Sequence, residues 1–223
     1  MTLTTYELAR AFGRKTVLTG VTASFPVGLT LLTGPSGAGK STLLRLLATA
    51  DKPSGGRIEW DGVPLPKARR ALRRVLGYAP QAVDLPETLS AREFALHMAA
   101  LKGLNLGEAE AQFVDIATRM GLGDDIDRAI AAYSGGMRRR LITAQALLGD
   151  PKVIALDEPT AELDAQSAAI THELVMERAA RASVIMTTHL VRELEELAVQ
   201  NLRIENGEAT ALDNEALSNG APA

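Results

Sequence analysis

The run Gly34-Pro35-Ser36-Gly37-Ala38-Gly39-Lys40-Ser41-Thr42 combines three glycines with one lysine and a closing Ser-Thr pair. Glycines let a backbone curl until successive N–H groups point inward and cradle an anion, and a helix starting near Lys40 adds its positive end. Lys40 could then reach the outer phosphates of a nucleoside triphosphate, and the Ser41 hydroxyl could serve Mg²⁺. Much later, Asp157-Glu158 sets two carboxylates at the end of the apolar run Val153-Ile154-Ala155-Leu156. Consecutive side chains on a strand diverge. Asp157 can therefore hold a metal while Glu158 takes a proton from an attacking water. His189 follows Ser183-Val184-Ile185-Met186-Thr187-Thr188, where a parallel strand delivers its last residue to a nucleotide site. On position alone a lone histidine is equally well a satisfied structural residue, the reading given to His97 and His172.

Two further features stay open on residue type alone. Tyr133-Ser134-Gly135-Gly136-Met137 opens an apparent helix with a hydroxyl and two glycines. Its bare N–H groups form an anion site or an ordinary N-cap. Gln81, after Val75-Leu76-Gly77-Tyr78-Ala79-Pro80, is a site residue or a loop residue.

These groups need a scaffold, and the apolar patterning supplies one. Leu29–Thr33 before the glycine loop and Leu43–Leu47 after it predict a strand, a turn and a helix. Leu3–Leu8, Val21–Phe25 and Arg57–Trp60 predict an antiparallel sheet beside the Leu29 strand. Ser90 with Glu93 is a capping box, after which Phe94, His97, Met98 and Leu101 share one helical face. Phe113, Ile116, Ala117 and Met120 repeat that spacing, so residues 82–147 read as a mostly helical insertion. Val153–Leu156 and Ser183–Thr188 are buried parallel strands, and Asn206-Gly207 marks a tight hairpin. The class is α/β, with one domain expected over residues 1–217 and a disordered tail over 218–223.

Composition removes several function classes. The 223 residues are 46% hydrophobic, contain no cysteine and carry a net charge of −3. Disulfide frameworks and thiolate metal sites are excluded, and no global basic excess points to nucleic acid. Met1–Arg10 lacks a signal-peptide pattern, and nowhere do 18 apolar residues run together. Arg69-Arg70 with Arg73-Arg74 reads as a solvated helix face. Arg138–Arg140 lies close to a helix N-terminus, whose dipole it opposes, and should have a local partner.

In this order and context the motifs resemble the ATP-binding cassette family, the nucleotide-binding subunits of ABC transporters, over about residues 3–217. The resemblance implies a P-loop NTPase with a parallel-sheet core, an N-terminal antiparallel β-subdomain and an inserted helical subdomain. It assigns the Walker A to Gly34–Ser41 with Thr42, the Q-loop to Gln81 and the signature to Ser134-Gly135-Gly136. Asp157 and Glu158 become the Walker B with its catalytic glutamate, Asp164 the D-loop and His189 the switch histidine. Phe12 falls where the family stacks an aromatic ring on adenine. ATP and Mg²⁺ are implied, with Ser41, Gln81 and Asp157 on the metal and Lys40, Gln81, Glu158 and His189 in catalysis.

Also implied are a second ATP-binding subunit, identical or homologous, placed head to tail, and a separate transmembrane permease. That puts the chain peripherally at the cytoplasmic membrane face, with no direct nucleic acid. The Tyr-Ser-Gly-Gly-Met signature is similar to the drug- and antibiotic-export branch. Glu162 and Ala165 depart from the Gly and Pro often seen around the D-loop. The segment after Gln81, with Asp84, Glu87 and Ser90 among Val83, Leu85 and Leu89, is the expected docking surface. The rival is a soluble ABC-type ATPase acting on nucleic acid, ribosomes or cofactor assembly. The acidic balance and the lack of coiled-coil repeats or zinc-binding cysteines stand against it.

Overall fold

The computed structural model describes residues 2–82, 84–189 and 191–212. The chain begins with β1 (Leu3–Phe12), β2 (Lys15–Phe25), β3 (Gly28–Thr33) and α1 (Lys40–Leu47). Then follow β4 (Gly55–Trp60), β5 (Val63–Pro64), α2 (Arg69–Arg74) and β6 (Leu76–Ala79). Helices α3 (Ala91–Lys102), α4 (Leu106–Arg119) and α5 (Gly135–Leu147) separate β6 from β7 (Val153–Asp157). The last elements are α6 (Ala165–Ala179), β8 (Ser183–Thr187), α7 (Val191–Leu194), β9 (Gln200–Glu205) and β10 (Glu208–Leu212).

Two sheets result. β2-β1-β4-β5 is antiparallel, and β10-β9-β3-β8-β7-β6 is parallel except for its edge strand β10. Strands β7 and β8 are buried at every position, which is why each reads as a continuous apolar run rather than an alternation. Asn206 and Gly207 both take positive φ, 51° and 83°, as a two-residue turn between β9 and β10 requires. Helix α1 lies in the apolar cluster shared with the antiparallel sheet, with Leu43, Leu44, Leu46 and Leu47 fully buried. Burying each leucine is worth roughly 1.5–3 kcal/mol, so the helix behind the glycine loop is firmly held.

The helical insertion differs from expectation in detail. Helix α3 buries the stripe Ala91, Ala95 and Ala99, while Phe94 and Met98 are half-buried and Leu101 is 68% exposed. Small side chains let α3 approach α4 and α5 closely, and its larger apolar residues stay at the rim. In α4 the expected face holds, with Phe113, Ile116 and Ala117 buried and Met120 just beyond them. Leu85, expected on the docking surface after Gln81, is instead a core residue at 7% exposure, while Asp84 and Glu87 of that segment are exposed and Leu89 is half-buried. Val83 and residues 218–223, named in the sequence reading, lie outside the described residues.

Candidate active site

The glycine loop joins the end of β3 to α1 by conformations that only glycine adopts easily. Gly34 has φ 121°, and a Cβ there would stand 2.0 Å from the Ile204 carbonyl oxygen. Gly39, at φ 111°, is the N-cap of α1 and accepts its first helical bond, from the Leu43 N–H at 2.8 Å. The Lys40 ammonium folds back over the loop, donating to the carbonyls of Gly34 at 2.8 Å and Pro35 at 2.9 Å. A cavity of about 540 Å³ opens beside it.

Parallel pairing of β7 with β8 delivers the acidic residues to the same cavity, because it sets Asp157 opposite Thr187. The Thr187 hydroxyl donates to Asp157 Oδ1 at 2.7 Å and accepts the Glu158 N–H at 2.9 Å. Glu158 takes a left-handed backbone, φ 53°, which is costly for a non-glycine residue and is held here by its surroundings. His189 Nε2 lies 3.2 Å from Glu158 Oε1, and the imidazole is 87% exposed. Burial raises the Glu158 carboxyl above its ordinary range, and Asp157 adds to this, while His189 and Lys40 pull it down. A carboxylate tuned upward is a better proton acceptor near neutral pH.

Among the residues expected from the sequence, the cavity unites Gly34, Ser36, Gly37, Gly39, Lys40, Ser41 and Thr42 with Gln81, Asp157, Glu158 and His189. Pro35 and Ala38 belong to the loop without lining the cavity. Phe12 also lies outside its lining, 47% exposed, with the Arg10 guanidinium 4.3 Å from its ring centroid. Ser134, Gly135, Gly136 and Asp164 do not line it either. Ser134 caps α5 by accepting the Met137 N–H at 3.3 Å. Asp164 caps α6, accepting the Ser167 N–H at 2.9 Å.

The basic run after the signature has the expected partners. Arg138 pairs with Glu87 at 3.0 Å, Arg139 donates to the Pro80 carbonyl, and Arg140 donates to the Met120 carbonyl. With Gln145 donating to the Tyr78 carbonyl at 2.7 Å, α5 is tied at two points to the strand leading into Gln81.

Sequence reasoning missed Thr187 and Val17. The available signal for the first was a threonine pair closing an apolar strand just before His189. For Val17, brought in from β2, there was none. The reading of His172 as satisfied needs correction: its Nε2 is buried without a partner, and it lines a second cavity that also touches Glu158 and His189. Burial lowers its pKa, against a raising contribution from Glu193.

Of the two carboxylates in the cavity, Glu158 is assigned to the attacking water, which leaves Asp157 with the Ser41 hydroxyl and the Gln81 amide as the donors expected on a cation. No group of three or more His, Cys, Asp or Glu side chains placed to hold a metal occurs among the described residues. Such a hard, sparse oxygen set suits Mg²⁺ completed by phosphate oxygens and water, not an all-protein cage.

Residues 19–161 match the ABC transporter family. The chain belongs to that family. It is 33% identical over 207 residues to the Nod factor export ATP-binding protein I of Paraburkholderia xenovorans, covering 92% of this chain and 68% of that one. It is 32% identical over 209 residues to the daunorubicin/doxorubicin resistance ATP-binding protein DrrA of Streptomyces peucetius, covering 93% and 63%. The chain thus spans about two thirds of the length of these relatives. A solved ATP-binding subunit of an ABC transporter superposes with TM-score 0.87 at 26% identity, over 99% of this chain and 95% of that one. The fold is shared, at 21% identity and TM-score 0.82, with a cassette solved as a dimer in a post-hydrolysis state bound to ADP and Pi, over 95% and 98% of the two chains. The protein is an ATP-binding cassette ATPase, an ATP-binding subunit homologous to those of exporters.

Proposed function

We propose that two cassettes act head to tail beneath a separate membrane subunit, and that their ATP-driven closure and reopening move a substrate outward. The observation that carries this reading is the division of the phosphate-binding parts. Lys40, Asp157, Glu158 and His189 share one cavity, whereas the second phosphate-type helix start, Ser134-Gly135-Gly136, lies outside it. A second chain's Ser134 would then complete each ATP site. No helix among the described residues is long and apolar enough to cross a membrane, so attachment to the cytoplasmic face would come through the partner.

In the reaction, Lys40 exchanges the carbonyls of Gly34 and Pro35 for phosphate oxygens, and the inward N–H groups of the loop hold the remaining charge. Ser41, Asp157 and Gln81 would hold Mg²⁺, which when bound would neutralise charge at the phosphates. Glu158 accepts the proton of the attacking water, and His189 keeps its carboxylate oriented across the 3.2 Å contact.

The test uses Glu158→Gln, which removes the proton acceptor but keeps the side chain's shape. It should lower steady-state hydrolysis by ~10²-fold or more and retain ATP binding. In that background ATP should drive dimer formation on size exclusion, and adding Ser134→Arg should abolish it. A dimer that survives the serine change means the site is completed within one chain. Recovery of the native chain solely in the soluble fraction, with its candidate membrane subunit present, would overturn the transporter reading.

A further inference from the structure

Arg10 is held firmly in place although it lines no part of the phosphate cavity. On β1 it lies two residues before Phe12, and therefore on the same face of the strand. The extra residue of the β1–β2 ladder falls on the other strand: Arg10 is opposite Leu18 and Ala11 opposite Thr16, so Val17 is left unpaired, and it lines the phosphate cavity. Phe12, opposite Lys15, sits one step further towards the hairpin turn.

The Arg10 guanidinium lies over one face of the Phe12 ring, 4.3 Å from its centroid. Its Nη1 donates to the Lys52 carbonyl at 2.9 Å, and its Nη2 lies 3.5 Å from Asp51 Oδ1. Asp51 Oδ2 in turn accepts from Arg45 Nε at 3.0 Å, and the Ala50 and Asp51 N–H groups both close onto the Arg45 carbonyl. These contacts fix the guanidinium to the end of α1, the helix that opens from the phosphate loop. Arg10 Nε is buried with no hydrogen-bond partner among the described residues, and the negative face of the ring is what compensates the charge there. Phe12 remains 47% exposed, so its opposite face is the one free for a flat ligand.

We propose that Arg10 is a positioning residue for the nucleotide base: it acts through Phe12, fixing the plane of the ring and drawing electron density from the far face on which adenine stacks. The proposal rests on the reading of Phe12 as the ring that meets the base. What it adds is the residue that sets this ring, and the tie through Asp51 to α1 that holds the base site and the phosphate loop at one spacing. An aromatic ring at an exposed hairpin end would otherwise have to be ordered on binding, at a cost in affinity. A cation on one face also makes the other face more welcoming to an electron-rich purine.

The experiment is calorimetric titration of the full chain with ADP and, separately, with pyrophosphate. Both ligands reach the phosphate loop, neither offers a γ-phosphate to cleave, and only ADP carries a base. Arg10→Met, similar in length but uncharged, should weaken ADP binding about three- to tenfold and leave pyrophosphate affinity unchanged. Phe12→Leu should do the same, and the double variant should lose little more than either single one, since both changes remove the same stacked pair. Arg10→Lys, which keeps the charge but cannot hold the ring, Lys52 and Asp51 together, should fall between. Unchanged ADP binding in Arg10→Met, an equal loss of pyrophosphate binding, or additive losses in the double variant overturns the proposal. The equal loss would mean that Arg10 only props the end of α1. Arg10→Lys carries the same three criteria if methionine unfolds the chain. Unchanged ADP binding in Phe12→Leu overturns the proposal by a separate route, because the base then does not meet that ring and the reading of Phe12 fails with it.

Discussion

The Thr187 hydroxyl donates to Asp157 Oδ1 at 2.7 Å, and the same oxygen accepts the Glu158 N–H at 2.9 Å. One buried side chain on β8 therefore sets both carboxylate residues at the end of β7, including the left-handed turn that swings Glu158 into the cavity. Thr187→Val is nearly isosteric but leaves the Glu158 N–H and one Asp157 oxygen unpaired, at about 1–3 kcal/mol for a buried polar group. We expect kcat for ATP hydrolysis to fall roughly tenfold to a hundredfold, since small misplacements of catalytic groups cost that much. Thr187→Ser, which restores the hydroxyl, should recover most of it. Steady-state kinetics on both variants decide the matter: an unchanged kcat in the valine variant, or a serine variant as slow as valine, would remove Thr187 from the site.

The contact between His189 and Glu158 makes a pH prediction. Burial raises the Glu158 pKa and His189 lowers it, so His189 favours the carboxylate, the form that accepts a proton. His189→Ala removes that support, and the acid limb of the kcat profile should move to higher pH. A profile that loses amplitude at every pH without moving would show that His189 acts only on another group.

The glycine loop was legible from the sequence because its chemistry is local: a strand, left-handed glycines and a helix start are neighbours in the chain. The β-sheet core was legible for the same reason, through apolar runs too long and too continuous for a half-exposed strand. Thr187 was not, because its role comes from strand register, which pairs it with Asp157 thirty residues away. The face of α3 was misjudged since Phe94, Met98 and Leu101 have the spacing of a core stripe, while the close approach to α4 favours Ala91, Ala95 and Ala99. Residue size, which periodicity ignores, decided the orientation. The exclusion of Ser134 from the P-loop cavity could be expected from family resemblance and from nothing in the spacing.

Lys102 ends α3 with its ammonium donating to the Leu148 carbonyl at 3.1 Å, and burial lowers its pKa from 10.5 to about 8. Below about pH 8 the folded protein holds this charge at its full desolvation cost. From there to the ordinary value of 10.5 the unfolded chain binds more protons than the folded one, so stability from this residue rises with pH. Urea denaturation of wild type against Lys102→Met should show wild type gaining on the variant between about pH 7.5 and about pH 9.5. A constant difference across that window would mean the amine is solvated.

Glu162 stands at φ 65°, a conformation that costs a side-chain-bearing residue about 1–2 kcal/mol relative to glycine. Its carboxylate also lies near the start of α5, where a Cβ on Gly135 would come within 3.1 Å of Glu162 Oε2. A negative charge there is favourable to the helix N-terminus by about 0.3–1 kcal/mol, so simple removal of the side chain mixes two effects of opposite sign. Comparing Glu162→Gly with Glu162→Ala separates them, because both lose the carboxylate and only alanine keeps the backbone strain. The glycine variant should be the more stable of the two by about 1 kcal/mol, after allowing for the greater entropy of glycine in the unfolded chain. Equal urea midpoints and slopes for the pair would show that this turn relaxes out of the left-handed region at no cost.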